Sequence, residues 1–360
     1  MQVSGFRIYF LEPGYFFSKI LSEFRKKIVA LQTGKYYTNA KKVKVVLRMG
    51  INEQSQKLMD KIRAKKGKPL FLNTVEAVRE ANIKQYCTNP PLVEIGRTED
   101  QFVPCPWGTL RIKLYYPKDT GDAGLLPVVV FYHGGGWTVD TVETHDKAVH
   151  VMCAASGCVF ASVDYRLAPE HKFPAGIEDA YTGLQWVYDN AEQIGVDRNR
   201  IAVCGDSSGG NFAAVMCQLA RDRNGVPIQK QVLIYPNTDF VMAGWESVQT
   251  VGSGYYCTKD ALLWYWNHYV GDSYDLENPY LCPMRAKSFE NLPDAYVVVA
   301  TYDPLHDEGA AYARALEQAG ANVVFRDCTD LMHGFILFWD EIDEAYDVLV
   351  EIGEYLKNNL

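Results

Sequence analysis

The amino-acid sequence predicts an α/β fold in which helices cover both faces of a mostly parallel β-sheet, preceded by a helical N-terminal part. From about residue 102, short apolar runs bounded by turn residues alternate with helical segments. Such runs are typical of parallel strands buried on both faces, and their alternation with helices is typical of a doubly covered sheet. Residues 1–100 show helical periodicity instead. We therefore predict an N-terminal extension and helical cap over residues 1–100 and the main domain over residues 101–360.

The N-terminal part contains three candidate helices. The first, over residues 15–31, has large apolar residues at helical spacing with basic residues between them. We favour packing of its apolar face on the rest of the protein over the alternative, peripheral attachment to an anionic membrane. Two more helices are predicted over residues 51–66 and 73–86, the latter with Thr74 as N-cap. The role of residues 1–45 stays open.

Seven segments of the main domain have the pattern of strands. The first alternates apolar and polar residues, as an edge or half-exposed strand does, and the others are mainly apolar. In chain order they are TLRIKLYYP, PVVVFYHGGG, CVFASVDYR, RIAVCGDSS, KQVLIYPNTD, AYVVVATYD and NVVFRDC. The predicted helices of this domain cover residues 143–155, 175–192, 209–222, 307–319 and 338–358. Residues 240–290, rich in Tyr and Trp, do not follow the alternation, and we expect them to be an insertion near the functional site.

Charge and cysteine usage narrow the class of protein. The net charge is −8, but residues 1–70 carry 16 Lys and Arg against 4 Asp and Glu. The rest of the chain is therefore strongly acidic, which disfavours nucleic acid as a partner. The nine cysteines are scattered without a C-x-x-C pair, which disfavours disulfides and a zinc site and favours a reducing compartment. The same lack of a ligand pattern leads us to expect no metal. With no secretory signal pattern and no long apolar run, we expect a cytoplasmic protein.

The segment RIAVCGDSSGGNFAAV places two serines between a predicted strand and a predicted helix. Gly205 and Gly209 lie two residues before and two residues after Ser207, which gives the frame G-x-S-x-G. Side chains at those two positions would collide with neighbouring backbone in a tight strand-to-helix turn. Ser207 is therefore the candidate nucleophile, and the N–H of Ser208 is a candidate donor to an oxyanion. The frame alone is common by chance and does not decide the function.

Further candidate residues follow other strands. Three consecutive glycines, Gly134, Gly135 and Gly136, end the second predicted strand, and glycine lets backbone N–H groups approach a ligand closely. Two of these N–H groups and that of Ser208 would form an oxyanion hole with three donors. The expected base is His333, in a loop before the last helix, at the same sheet edge as Ser207.

The expected acid is Asp303, which directly follows an apolar strand. Asp307 and Glu308 are rivals, but they fall in the first turn of the next helix, where carboxylates commonly serve only the helix dipole. Asp303 would hold the imidazole of His333 in one tautomer and stabilise its protonated form. The order Ser, Asp, His along the chain is the order found in α/β-hydrolases.

Five motifs in this order closely resemble the hormone-sensitive-lipase-like family of α/β-hydrolase esterases: HGGGW, DYRLAPEHKFPAGIED, GDSSGGN, DPLHDEG and HGF. The resemblance covers about residues 100–360. It implies an α/β-hydrolase fold whose catalytic domain is the main domain, no cofactor, and an N-terminal helical cap over the pocket. Carried over by motif, it implies Ser207 as nucleophile, Asp303 as acid, His333 as base, and Gly134, Gly135, Gly136 and Ser208 as sources of oxyanion donors.

The chain departs from the family pattern at one position, and several charged residues lie in or near its motifs. The family usually has Ala after the nucleophile, whereas this chain has Ser208, whose hydroxyl we expect to alter the pocket while its N–H remains. Four residues of the second motif resemble a charged functional site, but we expect them to have structural roles: Asp164, Arg166, Glu170 and His171. We also expect Asp206 to be a turn residue and not a catalytic one.

The resemblance implies a serine carboxylesterase that acts on small-molecule esters of short to medium acyl chain. An amidase similar to arylformamidases is the alternative, and a catalytically silent receptor, like the gibberellin receptors, is disfavoured because His333 is present. The resemblance is consistent with a monomer or a homodimer. Aromatic residues between 240 and 290 indicate either a pocket for a bulky group or core packing: Tyr255, Tyr256, Trp264 and Trp266.

Overall fold

The computed structural model describes residues 50–65, 67–118, 124–270 and 275–360. The predicted basic helix over residues 15–31 therefore lies outside the described residues. The strands, in chain order, are β1 Arg97–Cys105, β2 Gly108–Tyr116, β3 Leu126–Tyr132, β4 Val159–Asp164, β5 Val196–Asp206, β6 Lys230–Ile234, β7 Asp294–Tyr302 and β8 Val323–Met332.

Helices precede, separate and follow these strands. They are α1 Glu53–Ala64, α2 Val75–Tyr86, α3 Val142–Ser156, α4 Ala175–Asp189, α5 Ser208–Asp222, α6 Glu246–Thr250, α7 Lys259–Val270, α8 His306–Gln318 and α9 Asp343–Asn359. Short 3₁₀ segments lie at Leu70–Leu72, Pro283–Arg285 and Phe335–Phe338. The hydroxyl of Thr74 accepts a hydrogen bond from the Ala77 amide and so caps α2 as predicted. Among the described residues, no helix combines the length and the apolar character that crossing a membrane requires.

The described strands form one eight-stranded sheet in the order β1-β2-β4-β3-β5-β6-β7-β8. β1 and β2 run antiparallel to their neighbours, and the pairs from β4 to β8 are parallel. The mostly parallel α/β-hydrolase sheet is thus confirmed. TLRIKLYYP, expected as an edge or half-exposed strand, is β2, whose central residues alternate between buried and partly buried. It is not the edge strand, because β1, a largely exposed strand that the sequence did not reveal, pairs outside it.

Apolar side chains fill both faces of the sheet. Along β3, Val128, Val130 and Tyr132 pack in one core cluster with side chains of α4, α5 and α8, and Val129 and Phe131 pack in a second cluster with α3 and α9. This alternation follows the pleat of a strand, whose successive side chains point to opposite faces. Met59 of α1 and Tyr86 of α2 join the second cluster, so the two helices before the sheet share its core.

The carboxyl ends of four strands bring the predicted site residues to one edge. β3 ends directly before the HGGGW loop and pairs with β5, whose end precedes Ser207. β7 ends directly before Asp303, and its neighbour β8 ends directly before His333. Ligands of open α/β sheets bind outside the carboxyl ends of the strands, so the topology alone predicts a functional site here.

Candidate active site

Ser207 lies in a strained turn between β5 and α5. Its backbone has φ 55° and ψ −118°, a conformation that residues other than glycine rarely adopt. A Cβ at Gly205 would lie 2.2 Å from the carbonyl oxygen of Gly209, and one at Gly209 would lie 1.9 Å from that of Tyr132. Both glycines are therefore required for the turn to close, as the frame around Ser207 predicts.

A chain of hydrogen bonds links Ser207 to two residues from distant parts of the sequence. His333 Nε2 lies 2.9 Å from Ser207 Oγ, and His333 Nδ1 lies 2.6 Å from Asp303 Oδ2. The other carboxylate oxygen of Asp303 accepts a hydrogen bond of 2.8 Å from the Leu305 amide. Asp303 is fully buried and His333 is 7% exposed, so water competes little for these bonds. The arrangement fits a neutral imidazole that donates to the carboxylate and accepts from the hydroxyl.

The two rivals of Asp303 have other partners. Asp307 accepts hydrogen bonds from the side chain of His306 and from the Ser247 amide. Glu308 is fully buried and accepts from the side chain of Asn237 and from the amide of Thr238. Neither carboxylate has a hydrogen bond to His333, so Asp303 is the acid that the structure places beside the imidazole.

The three glycines of the HGGGW loop have different surroundings. The amide of Gly134 donates a hydrogen bond of 2.9 Å to Asp206 Oδ1 and therefore already has an acceptor. An N–H that is bonded inside the protein is not available to a substrate. The inclusion of Gly134 among the expected oxyanion donors is therefore corrected. Among the described residues, the amides of Gly135, Gly136 and Ser208 have no acceptor, and all three residues line the same cavity as Ser207.

Ser208 also contributes its side chain. Its hydroxyl oxygen accepts a hydrogen bond of 3.2 Å from the Trp137 amide, and its exposed fraction is 1%. The extra hydroxyl therefore joins the start of α5 to the end of the glycine loop. We expected this hydroxyl to alter the pocket. Its contact with Trp137 ties down the loop that carries two of the free amides.

Asp206 is more than a turn residue. Its Oδ1 lies 3.1 Å from Nε2 of His145, and both side chains are buried. Burial alone would raise the pKa of Asp206, but the charge and the hydrogen bond of His145 outweigh it and the pKa is lowered. Burial likewise opposes the charge of His145, yet Asp206 raises its pKa. The contact between the two side chains joins the turn at Ser207 to the glycine loop.

His133, next to this loop, is held neutral. Burial, followed by the charge of His145, lowers its pKa to about 3. Its ring stacks on that of Tyr165 with 4.3 Å between the centroids, and its Nδ1 lies 2.7 Å from the Gly134 carbonyl oxygen. His133 therefore serves as a packing and loop-holding residue, in contrast to His333.

The charged residues of the second motif have structural partners, as expected. Arg166 forms a two-pronged ion pair with buried Asp179, and Asp164 lies 3.6 Å from Arg111. Glu170 forms an ion pair with Arg79 of α2. His171, the fourth of these residues, is exposed. None of the four lines the cavity at Ser207.

A cavity of about 540 Å³ opens above Ser207. Its walls come from α1, α2, the glycine loop and the segment before and within α7. Apolar and aromatic side chains line most of it: Met59, Ile62, Tyr86, Tyr255, Tyr256 and Tyr265. Of the four aromatic residues singled out between 240 and 290, Tyr255 and Tyr256 therefore line the cavity, whereas Trp266 is a core residue packed on Trp137.

Sequence reasoning missed two residues of α2 that contact the glycine loop. Arg79 donates to the carbonyl oxygens of Thr138 and Ala168, at 2.9 and 2.8 Å. Asn82 donates to Oδ1 of Asp140 at 2.7 Å. Their spacing places them on one face of the helix, but only the folded chain shows what that face covers.

The described residues contain no group of three or more His, Cys, Asp or Glu side chains arranged to hold a metal ion. At Ser207 the structure brings together a hydroxyl, an imidazole, a carboxylate and free backbone amides, below a cavity lined mostly by apolar and aromatic side chains. A hydroxyl, an imidazole and a carboxylate in this order, with free amides nearby, can carry out acyl transfer.

Comparison with known proteins shows the family of the chain. A family model described as α/β-hydrolase fold matches residues 129–337. The carboxylic ester hydrolase LipN of Mycobacterium tuberculosis is 42% identical over 252 residues, which cover 68% of this chain and 66% of LipN. The chain belongs to the hormone-sensitive-lipase-like family of α/β-hydrolase carboxylesterases.

Other members of the family are similar over comparable lengths. An arylesterase of Saccharolobus solfataricus is 35% identical over 269 residues, which cover 74% of this chain and 85% of the arylesterase. The solved structure of a hyperthermophilic esterase from the archaeon Pyrobaculum calidifontis superimposes with a TM-score of 0.79 at 37% identity, and the match covers 86% of this chain and 99% of that esterase. The family resemblance of the five motifs is thus confirmed.

Proposed function

We propose that this carboxylesterase hydrolyses small-molecule esters of short to medium acyl chain through an acyl-enzyme on Ser207. The observation that carries the proposal is the pair of hydrogen bonds that joins Ser207 to His333 at 2.9 Å and His333 to Asp303 at 2.6 Å. A serine hydroxyl is a weak nucleophile until a positioned base takes its proton, and a base works best when a third group orients it.

In the first half of the reaction, Oγ of Ser207 attacks the ester carbonyl carbon while its proton passes to Nε2 of His333. The buried carboxylate of Asp303 stabilises the imidazolium that forms. The tetrahedral intermediate then breaks its bond to the alcohol oxygen, which takes the proton from His333. The alcohol leaves, and the acyl group stays on Ser207.

In the second half, water replaces the alcohol. The water oxygen attacks the acyl carbonyl carbon while His333 takes a proton from the water. His333 then gives that proton to Oγ of Ser207 as the bond between Oγ and the acyl carbon breaks. The carboxylic acid leaves, and the enzyme returns to its starting state.

The negative charge of both tetrahedral intermediates falls on the former carbonyl oxygen. We place that oxygen against the amides of Gly135, Gly136 and Ser208, whose N–H groups have no acceptor among the described residues. Loss of one such donor in comparable sites costs about 10²–10³ in kcat. Gly134 is left out of this set because its amide donates to Asp206.

The size of the cavity supports a preference for short to medium acyl chains. Its volume of about 540 Å³ has to hold both the acyl and the alcohol part of an ester. Small-molecule sites range from about 300 to 1,000 Å³, so this cavity is of moderate size. Apolar residues such as Met59 and Ile62 suit a hydrocarbon chain of limited length.

A series of 4-nitrophenyl esters with acyl chains from two to twelve carbons tests the proposal. We expect kcat/KM to reach its maximum at eight carbons or fewer and then to fall. A parallel series of 4-nitroanilides tests the amidase alternative, and we expect turnover of the anilides to be at least 100-fold slower. A maximum at twelve carbons, or faster turnover of the anilides, would contradict the proposed substrate class.

A further inference from the structure

Asp140 holds an unusual position at the wall of the cavity. It follows the glycine loop, its backbone φ is +66°, and its exposed fraction is 6%. Residues other than glycine rarely adopt this conformation, which persists only where the surroundings enforce it. The chain therefore keeps a carboxylate at a place where glycine would be less strained.

The two carboxylate oxygens of Asp140 have different surroundings. Oδ1 accepts a hydrogen bond of 2.7 Å from the side-chain amide of Asn82. No protein donor within the described ranges reaches Oδ2, which lies 2.8 Å from the place where Gly135 would carry a Cβ. Asp140, Asn82 and Gly135 all line the same cavity as Ser207. The free oxygen of Asp140 thus lies close to Gly135, whose amide we assign to the oxyanion.

Charge compensation for Asp140 from the protein is weak. His145 lies near enough to favour its ionised form, but burial raises its pKa. In the part of the chain that the structure describes, no Lys or Arg forms an ion pair with Asp140, although Arg63 and Lys68 line other parts of the cavity. A buried carboxylate with one hydrogen bond is costly unless a ligand supplies another donor.

Among the described residues, no hydrogen bond joins a tyrosine hydroxyl to Asp140. Tyr86 and Tyr256 form a hydrogen bond with each other through their hydroxyl groups. Both residues line the cavity together with Tyr265, and the wall beside Asp140 is therefore polar, whereas the wall at Met59 and Ile62 is apolar. An ester with a polar substituent close to its carbonyl group would meet this polar wall.

We propose that Asp140 is a specificity-determining residue that accepts a hydrogen bond from a donor group, an ammonium or a hydroxyl, close to the carbonyl of the ester substrate. This inference rests on the proposed function, because it concerns the same cavity. An ammonium group suits the site best, since a hydrogen bond between a cation and a carboxylate is about twice as strong as one between neutral groups. A hydroxyl group supplies the same donor without the charge.

Three 4-nitrophenyl esters of similar size test the proposal: the butanoate, the 3-hydroxybutanoate and the 3-aminobutanoate. The measured quantity is the ratio of kcat/KM for each donor ester to kcat/KM for the butanoate. In the wild type we expect this ratio to be about tenfold for the hydroxyl ester and about 50-fold for the ammonium ester. Asp140→Asn presents an N–H group where Oδ2 was, and we expect both ratios to fall to about one.

Two further variants make the result decisive. Asp140→Gly removes the carboxylate and suits the backbone φ of +66°. If Asp140→Asn folds poorly, Asp140→Gly therefore still tests whether the kcat/KM ratios depend on the carboxylate. Asp189→Asn removes an exposed carboxylate of α4 that does not line the cavity, and we expect it to keep the wild-type ratios. Ratios near one in the wild type, or unchanged ratios in Asp140→Gly, would overturn the role of Asp140.

Failure of the proposed function gives a different result. In that case the wild type would not hydrolyse the butanoate, and a phosphonate probe would not label Ser207. Binding to Ser207→Ala by calorimetry then still tests Asp140, because it needs no turnover. We expect the ammonium ester to bind Ser207→Ala at least tenfold more tightly than the butanoate, and equal affinities would overturn the inference.

Discussion

The carboxylate of Asp206 accepts a hydrogen bond of 2.9 Å from the amide of Gly134, and its same oxygen lies 3.1 Å from Nε2 of His145. Asp206 directly precedes the candidate nucleophile, whereas Gly134 begins the loop that carries Gly135 and Gly136. The buried contacts of Asp206 therefore link the turn of the attacking oxygen to the loop whose amides would receive the oxyanion. Small displacements between such groups are costly in rate.

The coupling of Asp206 to His145 can be measured with a double-mutant cycle. We expect Asp206→Asn and His145→Gln each to lower kcat about tenfold to 100-fold, because each loosens the glycine loop. The double variant should lose little more than either single variant, because both substitutions break one interaction. Steady-state kinetics on a 4-nitrophenyl ester measures the effect, and losses that simply multiply would contradict a shared role.

Ser208→Ala tests the hydroxyl that follows the nucleophile. The substitution removes the acceptor for the Trp137 amide but keeps the N–H of residue 208. We expect kcat to fall about twofold to tenfold, since one neutral hydrogen bond is worth about 1 kcal/mol. Labelling of Ser207 by a phosphonate should stay complete. An unchanged kcat would show that the Trp137 contact does not position the loop.

Arg79→Met tests the attachment of α2 to the glycine loop. Arg79 donates to two backbone carbonyl oxygens and pairs with Glu170. We expect the free energy of unfolding to fall by about 2 kcal/mol and KM to rise, because α2 forms part of the cavity wall. Lys84→Met, an exposed position on the same helix, is the matched control and should change neither quantity. Equal effects of both substitutions would argue against a specific contact.

We expect the free energy of unfolding to fall at alkaline pH, because His306 then loses its charge. Burial lowers its pKa, but hydrogen bonds to Asp307 and Asp327 outweigh burial and raise the pKa to about 9. The unfolded value is about 6.5, so the stabilisation is complete below pH 6.5 and is lost as the pH rises through 9. His306 is only partly exposed, and we expect a loss of about 1 kcal/mol after screening by solvent.

Urea unfolding of the wild type and His306→Gln at pH 6.5 and 9.5 measures this difference. The wild type should lose about 1 kcal/mol more than the variant between the two pH values. Equal losses in both proteins would show that the His306 pairs contribute nothing to the pH dependence of stability.

Much of the candidate site follows from the sequence because each group lies next to the end of a strand. Apolar runs locate β5, β7 and β8, and the carboxyl ends of parallel strands meet at one sheet edge. Ser207, Asp303 and His333 directly follow these strands or their turns, so their convergence could be predicted before the structure. The glycine loop after β3 follows for the same reason.

Other parts depend on packing between distant segments and could not be predicted. β1 is largely exposed, its first five residues are polar, and it lacks the alternation that marks a half-buried strand. The contact of Asn82 with Asp140 depends on how α2 lies on the glycine loop, 58 residues away in the chain. The internal acceptor of Gly134 depends likewise on a carboxylate brought in by β5. No local pattern specifies such pairs.

The most direct measurement of the central claim compares Ser207→Ala with Ser208→Ala in one assay. Both purified variants and the wild type are assayed with 4-nitrophenyl butanoate, and phosphonate labelling is followed by intact-mass spectrometry. We expect Ser207→Ala to lose about 10⁴-fold or more in kcat and all labelling, while Ser208→Ala keeps labelling and at least a tenth of kcat. Retention of most activity and labelling in Ser207→Ala, with their loss in Ser208→Ala, would contradict the account.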